Sequence, residues 1–470
     1  MRNVTCAAVD LGATSGRVIV GVWGKQLKLT EVHRFPNVFH SLGAHDYWDL
    51  PRLWTEIATG LRKAKAKFPQ LASVGVDCWG VDYALVNDAG RLVYPTHAYR
   101  DGRTQAGLKA LAQRGLDRIY AATGIPNVFY NSSLQLAEVV AHCPAVTDLA
   151  ARCLFLPDYF NFLLSGRMEN ELSIASTTQL LDVHGCGWSR EALEFFHIPP
   201  QWFSTPIAAN TRLGPVRSLP ELKGVQTIAV PGHDTASAYD AMPANPAGGD
   251  LYLSSGTWSL VGFESDRPVL GAAALKAKVA NERTGLGGYR PLTNIVGLWL
   301  LEQTLLAFGT RPKTHKDWAE LIATAAKRPR PPVLLNARDP VFGKPVSMRE
   351  AIDAHLKKKG GKPPADLAGY TRLICDSLGR GHAGAMRQFE KLTGRKFQRI
   401  LMVGGGAKNS LLAQATADAA GLPVMAFALE GTALGNLASQ WIALGVCKDR
   451  VAFRAHLAST LKATTYAPRG

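Results

Sequence analysis

Two stretches about half a chain apart carry one pattern, and that pattern limits the fold more than any other feature of the sequence. Near the start, the apolar run Val4 to Val9 ends in Asp10 and gives way to LGATSGRVIVGVW, which reads as a strand, a Gly/Ser/Thr-rich turn and a second strand. Leu251-Tyr252-Leu253 then runs into SSGTWSLVGFE, again a strand, a small polar turn and a strand. The literal repeat is weak, so a duplicated fold rests here on pattern rather than identity. Length agrees with it. A chain of 470 residues with 47% apolar content exceeds what one core usually holds, and two domains, 1–243 and 244–470, are expected.

Inside each half, strands alternate with helices, the habit of α/β domains. LASVGVDCWGVDYALV offers two short strands around a central WG, and QTIAVPGHDTASAYDAM offers a strand, a Pro-Gly break and a helix start. In the second half VGLWLLEQTLLAF reads as a buried helix, and Thr310 to Pro332 as a short surface helix and loop. Ser347 and Glu350 form a capping pair ahead of a helix that runs to LKKKGG. Leu373, Ser377, Gly381, Ala385 and Phe389 share one helical face, with small residues that permit close packing. Arg399 to Val403 is a strand feeding GGGAKNSLLAQATADAAG, a glycine-rich loop into a helix that stops at Gly421.

Composition excludes a disordered or fibrous protein. No run of about 18 apolar residues occurs, and the N-terminus enters a strand pattern without a cleavage site, so a soluble, unexported protein is expected. Seven scattered cysteines with no CxxC fit reduced thiols in a cytoplasm. A net charge of +16 favours anionic ligands but does not choose between nucleic acid and phosphorylated metabolites. The basic clusters, Arg62 to Lys67 and Lys357 to Lys359, read as solvated helix ends or loops.

Phosphoryl transfer needs backbone N–H groups around phosphates, a carboxylate for the metal, and a carboxylate to take the hydroxyl proton. Ala13, Thr14, Ser15, Gly16 and Arg17 form a turn that can lie against a polyphosphate, and Asp10 could hold Mg²⁺ through water; an ordinary turn with Asp10 as its cap is the alternative. Gly256 and Thr257 offer the same chemistry, or a plain hairpin. Gly404, Gly405 and Gly406, with Asn409 following, expose a helix N-terminus to anions, although neither Walker nor Rossmann spacing is present and tight packing would also explain the glycines. His233-Asp234 follows a strand at a sheet edge, where Asp234 is either an active residue or a helix cap. Trp79, Gly80 and Asp82 supply an aromatic face, a bare backbone and a carboxylate suited to a polyol, unless they are core.

These residues together resemble the FGGY family of carbohydrate kinases across nearly the whole chain. The stretches that carry the resemblance are AVDLGATSGRV, VDCWGVDYALV, YRDGRT, LPDYFNFLLSG, ASTTQLLD, GHDTASA, YLSSGTWSLVGFE, NIVGLWLLEQ, and VGGGAKNSLL followed by EGTALGN. WGVDY, ASTTQL and HDTASA resemble the rhamnulokinase branch. The resemblance implies an actin-like ATPase architecture, two ribonuclease-H-like α/β domains with a catalytic cleft between them, and ATP and Mg²⁺ as cofactors. It makes Asp234 the base, with Gly80, His233 and Thr235 on the sugar and Asn294 reaching it from the second domain. Ala13 to Arg17 and Thr257 would contact phosphates, and Gly405 with its neighbours the adenosine side. In the helix after Asn294, rhamnulokinases commonly place a glutamine near the nucleotide; here Glu302 stands there with Gln303 next, and Gln303 is the expected contact. Cys78 replaces a frequent threonine beside the sugar. L-rhamnulose is the expected substrate, with L-fuculose, L-xylulose or another pentulose, and a non-catalytic ATP- and sugar-binding sensor, as rivals. A DNA-binding repressor is disfavoured because the first domain starts within a few residues of Met1. No nucleic-acid or membrane partner is expected, and a monomer or homodimer is.

Overall fold

The hairpin at the chain start forms, and a sheet grows from it. In the computed structural model, which describes residues 3–343, 345–427 and 430–469, β1 (Val4–Leu11) pairs antiparallel with β2 (Ser15–Trp23). β3 (Lys28–Pro36) continues the meander on β2, and β4 (Leu71–Cys78) lies parallel to β1 on its other side. β5 (Thr211–Pro215) and β6 (Gln226–Ala229) complete the order β3-β2-β1-β4-β6-β5, with β6 parallel to β4 and β5 antiparallel at the edge. Sequence explains the order. β1 and β4 are near-continuous apolar runs, buried on both faces as central parallel strands must be, whereas β3 is mostly solvent-facing.

The helix Leu50–Lys67 covers one face with Leu53, Ile57 and Leu61 at helical spacing. Asp49 caps its first turn by accepting from Arg52 N at 2.9 Å, and Lys65 and Lys67 of the basic cluster end it, where cations suit the dipole. The opposite face of β1 and β4 is covered by a helix from far down the chain, Gly431–Ala443. Its Gln440 donates to Ala7 O at 2.9 Å and accepts from Ser73 Oγ at 2.6 Å, and its Asn436 donates to Gly75 O at 3.1 Å. This unit therefore comprises 1–243, 264–291 and 431–460; the second comprises 244–263, 292–430 and 461–470.

The second sheet repeats the strand pattern of the first and adds one strand, Ala280–Arg283, at its edge. β7 (Asp250–Ser255) and β8 (Trp258–Gly262) are the second hairpin, β9 (Tyr289–Val296) is antiparallel to β8, and β10 (Arg399–Val403) is parallel to β7. β11 (Val424–Ala426) is parallel to β10, and β12 (Thr464–Tyr466) is antiparallel at the edge. Beyond the added edge strand Ala280–Arg283, which neighbours β9, the order β9-β8-β7-β10-β11-β12 has the same sequence of directions as the first sheet. Two sheets with one topology are what the paired hairpin patterns require.

Other local expectations also meet their elements. Trp299–Ala307 is a helix buried through Leu300, Leu301, Thr304 and Leu305, though Leu306 is exposed. His315–Ala326 is the surface helix, headed by a reciprocal Thr314–Asp317 capping box, and Ser347 Oγ accepts from Glu350 N to head Met348–Lys358. The long helix Leu367–Thr393 buries Leu373, Ser377, Ala385 and Phe389 on one face, with Gly381 half-buried. Among the described residues no helix is long and apolar enough to cross a membrane.

Candidate active site

The C-terminal ends of β1, β4 and β6 bring three carboxylates to one sheet edge of the first unit, where open α/β sheets place their ligands. Asp10, the penultimate residue of β1, stands in register with Asp77 of β4, and Cys78 bridges to His233, which precedes Asp234. Asp10 is buried and paired with Arg17 across the hairpin, Arg17 Nε donating to Asp10 Oδ2 at 2.9 Å. The turn between them is held by Gly12 N to Ser15 O at 3.0 Å and by Asn37, which donates to Gly12 O and Thr14 O at 2.9 and 3.1 Å. Ala13, Thr14 and Ser15 remain at least partly exposed and Gly16 is buried. Asp77, absent from the sequence reading, is fully buried. Burial first, and then Asp10 and Asp234, push its pKa well above the carboxylate range, and the 2.6 Å hydrogen bond from Asn436 to Oδ2 offsets this in part.

Asp234 is the first residue of the helix Asp234–Asp240, and His233, not Asp234, is the capping position. Its carboxylate is 30% exposed, so it remains within reach of a ligand. Thr235 Oγ1 donates to Asp234 Oδ1 at 3.0 Å, and His233 Nε2 lies 3.3 Å from the same oxygen. Behind His233 stand Glu282, 3.0 Å from Nδ1, and Arg290, which donates to Glu282 Oε2 at 2.7 Å. Burial works to raise the pKa of Glu282, but His233 and Arg290 outweigh it and hold the carboxylate below its ordinary range.

The ASTTQL stretch and the short helix that leads into it, Leu172–Ala175, act together as a clasp. Thr177 Oγ1 accepts from Val81 N at 3.3 Å, while Ser173 Oγ, in that helix, accepts from His233 N at 3.3 Å, so one short segment pins both WGVD and PGHD. Glu171 adds to it, accepting from Gly232 N at 2.9 Å and Ser173 Oγ at 2.7 Å. A side-chain carbon added at Gly80 would stand 3.5 Å from His233 Nε2, which puts the bare backbone beside the histidine. Val81 is held at φ 70°, a conformation that a β-branched residue adopts under strain. Asp82 turns inward: Oδ2 accepts from Trp48 Nε1, Trp79 Nε1 and Tyr99 N at 2.6, 2.8 and 3.2 Å, and Oδ1 from Gln135 at 3.2 Å. It fixes the buried Trp79 ring against Trp48, with centroids 4.4 Å apart.

In the second unit the remaining residues gather around the end of β7. Gly297 N and Trp299 N donate to Thr257 O at 3.0 and 3.3 Å, and Leu298 N to Gly256 O at 2.8 Å, so the hairpin tip is tied to the helix carrying Gln303. Gly404, at φ 84°, lies so close to β7 that a Cβ there would meet Ser255 O at 2.6 Å. The three-glycine loop thus presses on the hairpin. It opens a 3₁₀ turn, Gly405–Lys408, before Asn409 caps Ser410–Ala420 by accepting from Leu412 N at 3.0 Å. Gly405 is exposed and Gly406 buried. Gln303 is half-buried, and Glu302 is turned to Arg311 at 3.4 Å. Asn294 is exposed on β9, opposite Leu260.

Asp10, Arg17, His233, Asp234, Thr235, Trp79, Gly80 and Asp82 thus lie in the first unit, and Thr257, Gln303, Gly404 to Gly406, Asn409 and Asn294 in the second. Sequence reasoning missed Asp77, Glu171, Glu282 and Arg290. The signal for Asp77 was its strand-end position two residues before Trp79; the others carry no local signature.

Comparison with known proteins gives the family. Residues 5–239 match the N-terminal domain of the FGGY family of carbohydrate kinases, and residues 251–444 its C-terminal domain. A rhamnulokinase of Klebsiella pneumoniae subsp. pneumoniae is 37% identical over 467 residues, 98% of this chain and 94% of that protein. Among solved structures, the gluconate kinase of Lactobacillus acidophilus superposes with a TM-score of 0.80 at 14% identity, over 100% of this chain and 94% of that one. The xylulose kinase of Rhodospirillum rubrum gives 0.80 at 18% identity over the same shares, 100% and 94%. Both structures speak to the fold, that of the actin-like ATPases. The chain belongs to the FGGY family of carbohydrate kinases and is an ATP-using sugar kinase.

Proposed function

We propose that this kinase transfers the γ-phosphoryl group of ATP to the 1-hydroxyl of L-rhamnulose, giving L-rhamnulose 1-phosphate, with Asp234 as the general base. The observation that carries the reading is the Asp234 carboxylate: part-exposed at the strand-end edge, with Oδ1 engaged by Thr235 and His233. Oδ2 is then the atom that takes the hydroxyl proton. The ketose oxygen forms a bond to the γ-phosphorus as the bond from that phosphorus to the bridging β,γ-oxygen breaks, and ADP leaves with the bond's electron pair. Gly80, His233, Thr235 and the Trp79 face, braced by Asp82, are assigned to the sugar together with Asn294. The 13–17 turn, Thr257, Gln303, Gly404 to Gly406 and Asn409 are assigned to the nucleotide.

The carboxylates also fit a magnesium ion. Asp77 Oδ1 is buried without a hydrogen-bond partner among the described residues, beside Asp10, and hard oxygen donors of this kind suit Mg²⁺ held chiefly by water and phosphates. Among the described residues no group of three or more His, Cys, Asp or Glu side chains could hold a metal. The ion, when bound, neutralises charge on the transferred group. L-rhamnulose is favoured over other ketoses by the 37% identity to the Klebsiella rhamnulokinase. A cytoplasmic location is supported by seven cysteines without disulfides.

Asp234→Asn is expected to lower kcat by about two to four orders of magnitude while ATP affinity and melting temperature hold. Near-normal turnover would remove Asp234 from the mechanism. A coupled ADP-release assay over L-rhamnulose, L-fuculose, L-xylulose, L-ribulose, D-xylulose, D-fructose and glycerol tests the sugar; preference for another compound overturns that assignment alone.

A further inference from the structure

Arg290, Glu282 and His233 form a buried charged row that ends on Asp234. The side chains are 0%, 10% and 9% exposed, and such groups are costly to bury unless each is paired. Each is. Arg290 donates from Nε to Arg283 O at 2.9 Å and from NH2 to Glu282 Oε2 at 2.7 Å, with its guanidinium 5.5 Å from the ring centre of Tyr239, on the helix that Asp234 opens.

The protons on His233 follow from its neighbours. Nε2 faces a carboxylate oxygen at 3.3 Å, an approach that is attractive when Nε2 carries hydrogen. Nδ1 has two suitors, Glu282 Oε2 at 3.0 Å and Arg290 NH2 at 3.1 Å. With Nε2–H set by Asp234, donation from Nδ1 to Glu282 gives an imidazolium, and acceptance at Nδ1 from Arg290 gives the neutral Nε2–H tautomer. In both of these states the Nε2 hydrogen is directed at Asp234 Oδ1, 3.3 Å away.

We infer that Glu282, backed by Arg290, is a positioning residue: through His233 it holds the Asp234 carboxylate with Oδ1 tied and Oδ2 presented to the sugar hydroxyl. The inference rests on the reading of Asp234 as base. It concerns orientation, so it must show in kcat and must vanish when the base is gone.

The test is a double-mutant cycle of Glu282→Gln with Asp234→Asn, read by steady-state and single-turnover kinetics, with melting temperatures to confirm folding. Glu282→Gln is expected to lower kcat about 10- to 100-fold, the scale of a slight misplacement, with the KM for ATP unchanged. In the Asp234→Asn background the same change is expected to cost less than about twofold. Glu282→Asp, which keeps the charge that Arg290 requires, should recover part of the loss and serves if the glutamine variant does not fold. An equal loss in both backgrounds, or normal kcat in Glu282→Gln and Glu282→Asp while Asp234→Asn is impaired, overturns the inference and leaves the base intact. Normal turnover in Asp234→Asn overturns the base itself, and the inference with it.

Discussion

Asp82 shows how one buried carboxylate can hold two neighbouring indole rings in place. Burial pushes its carboxyl up to about 6, against the hydrogen bonds from Trp79, Trp48, Gln135 and Tyr99 N that favour the anion. The folded state therefore binds the proton more tightly than the unfolded chain, whose aspartates titrate near 4. The stabilisation is complete below that value and is lost as pH rises through 6. Asp82→Asn removes this titration, so the stability of the wild type relative to the variant should fall by about 2–3 kcal/mol between pH 4 and pH 7, measured by urea unfolding at the two pH values. Residues of this site were legible where a strand end announces them: Asp10, His233 and Asp234 each follow an apolar run. Glu282 and Arg290 were not, because their partner His233 stands outside any local pattern they belong to, 57 residues from Arg290. The strained backbone of Val81 was equally silent, since a valine in WGVDY looks like any strand residue.

Elements were read more securely than contacts between them. Hairpins, the PGHD helix start and the glycine loop follow from local chemistry, and they stand where the residues said. What the sequence could not convey is which helix covers which sheet. Gly435, inside Gly431–Ala443, illustrates the point: a Cβ there would collide with the carbonyl of Ser237, in the helix headed by Asp234. The obstacle is backbone and cannot swing aside. Gly435→Ala is expected to cost about 1–3 kcal/mol and to lower kcat through that helix. Gly384 lies on the open side of Leu367–Thr393 with nothing near its missing Cβ, and Gly384→Ala should add up to about 1 kcal/mol at unchanged activity. Urea midpoints and initial rates of the two variants check both.

At the scale of the whole molecule, the two sheets share one order of strand directions, and the paired hairpins were its visible trace. The return of residues 264–291 and 431–460 to the first unit had no such trace, because an amphipathic helix does not declare which sheet it will meet. Asn436 reaches Asp77 across 359 positions, and Gln440 reaches Ser73 across 367. Residues 1–243 expressed alone leave one face of β1 and β4 uncovered and are expected to lack a cooperative melt by circular dichroism, which the full chain shows. The same helix has a meaning for biosynthesis. A ribosome completes the sheet at Ala229 and reaches its cover only at Gly431, so the nascent first unit waits with one apolar face bare while the residues between are added. Apolar surface exposed for that interval is the condition that makes a nascent chain prone to aggregate.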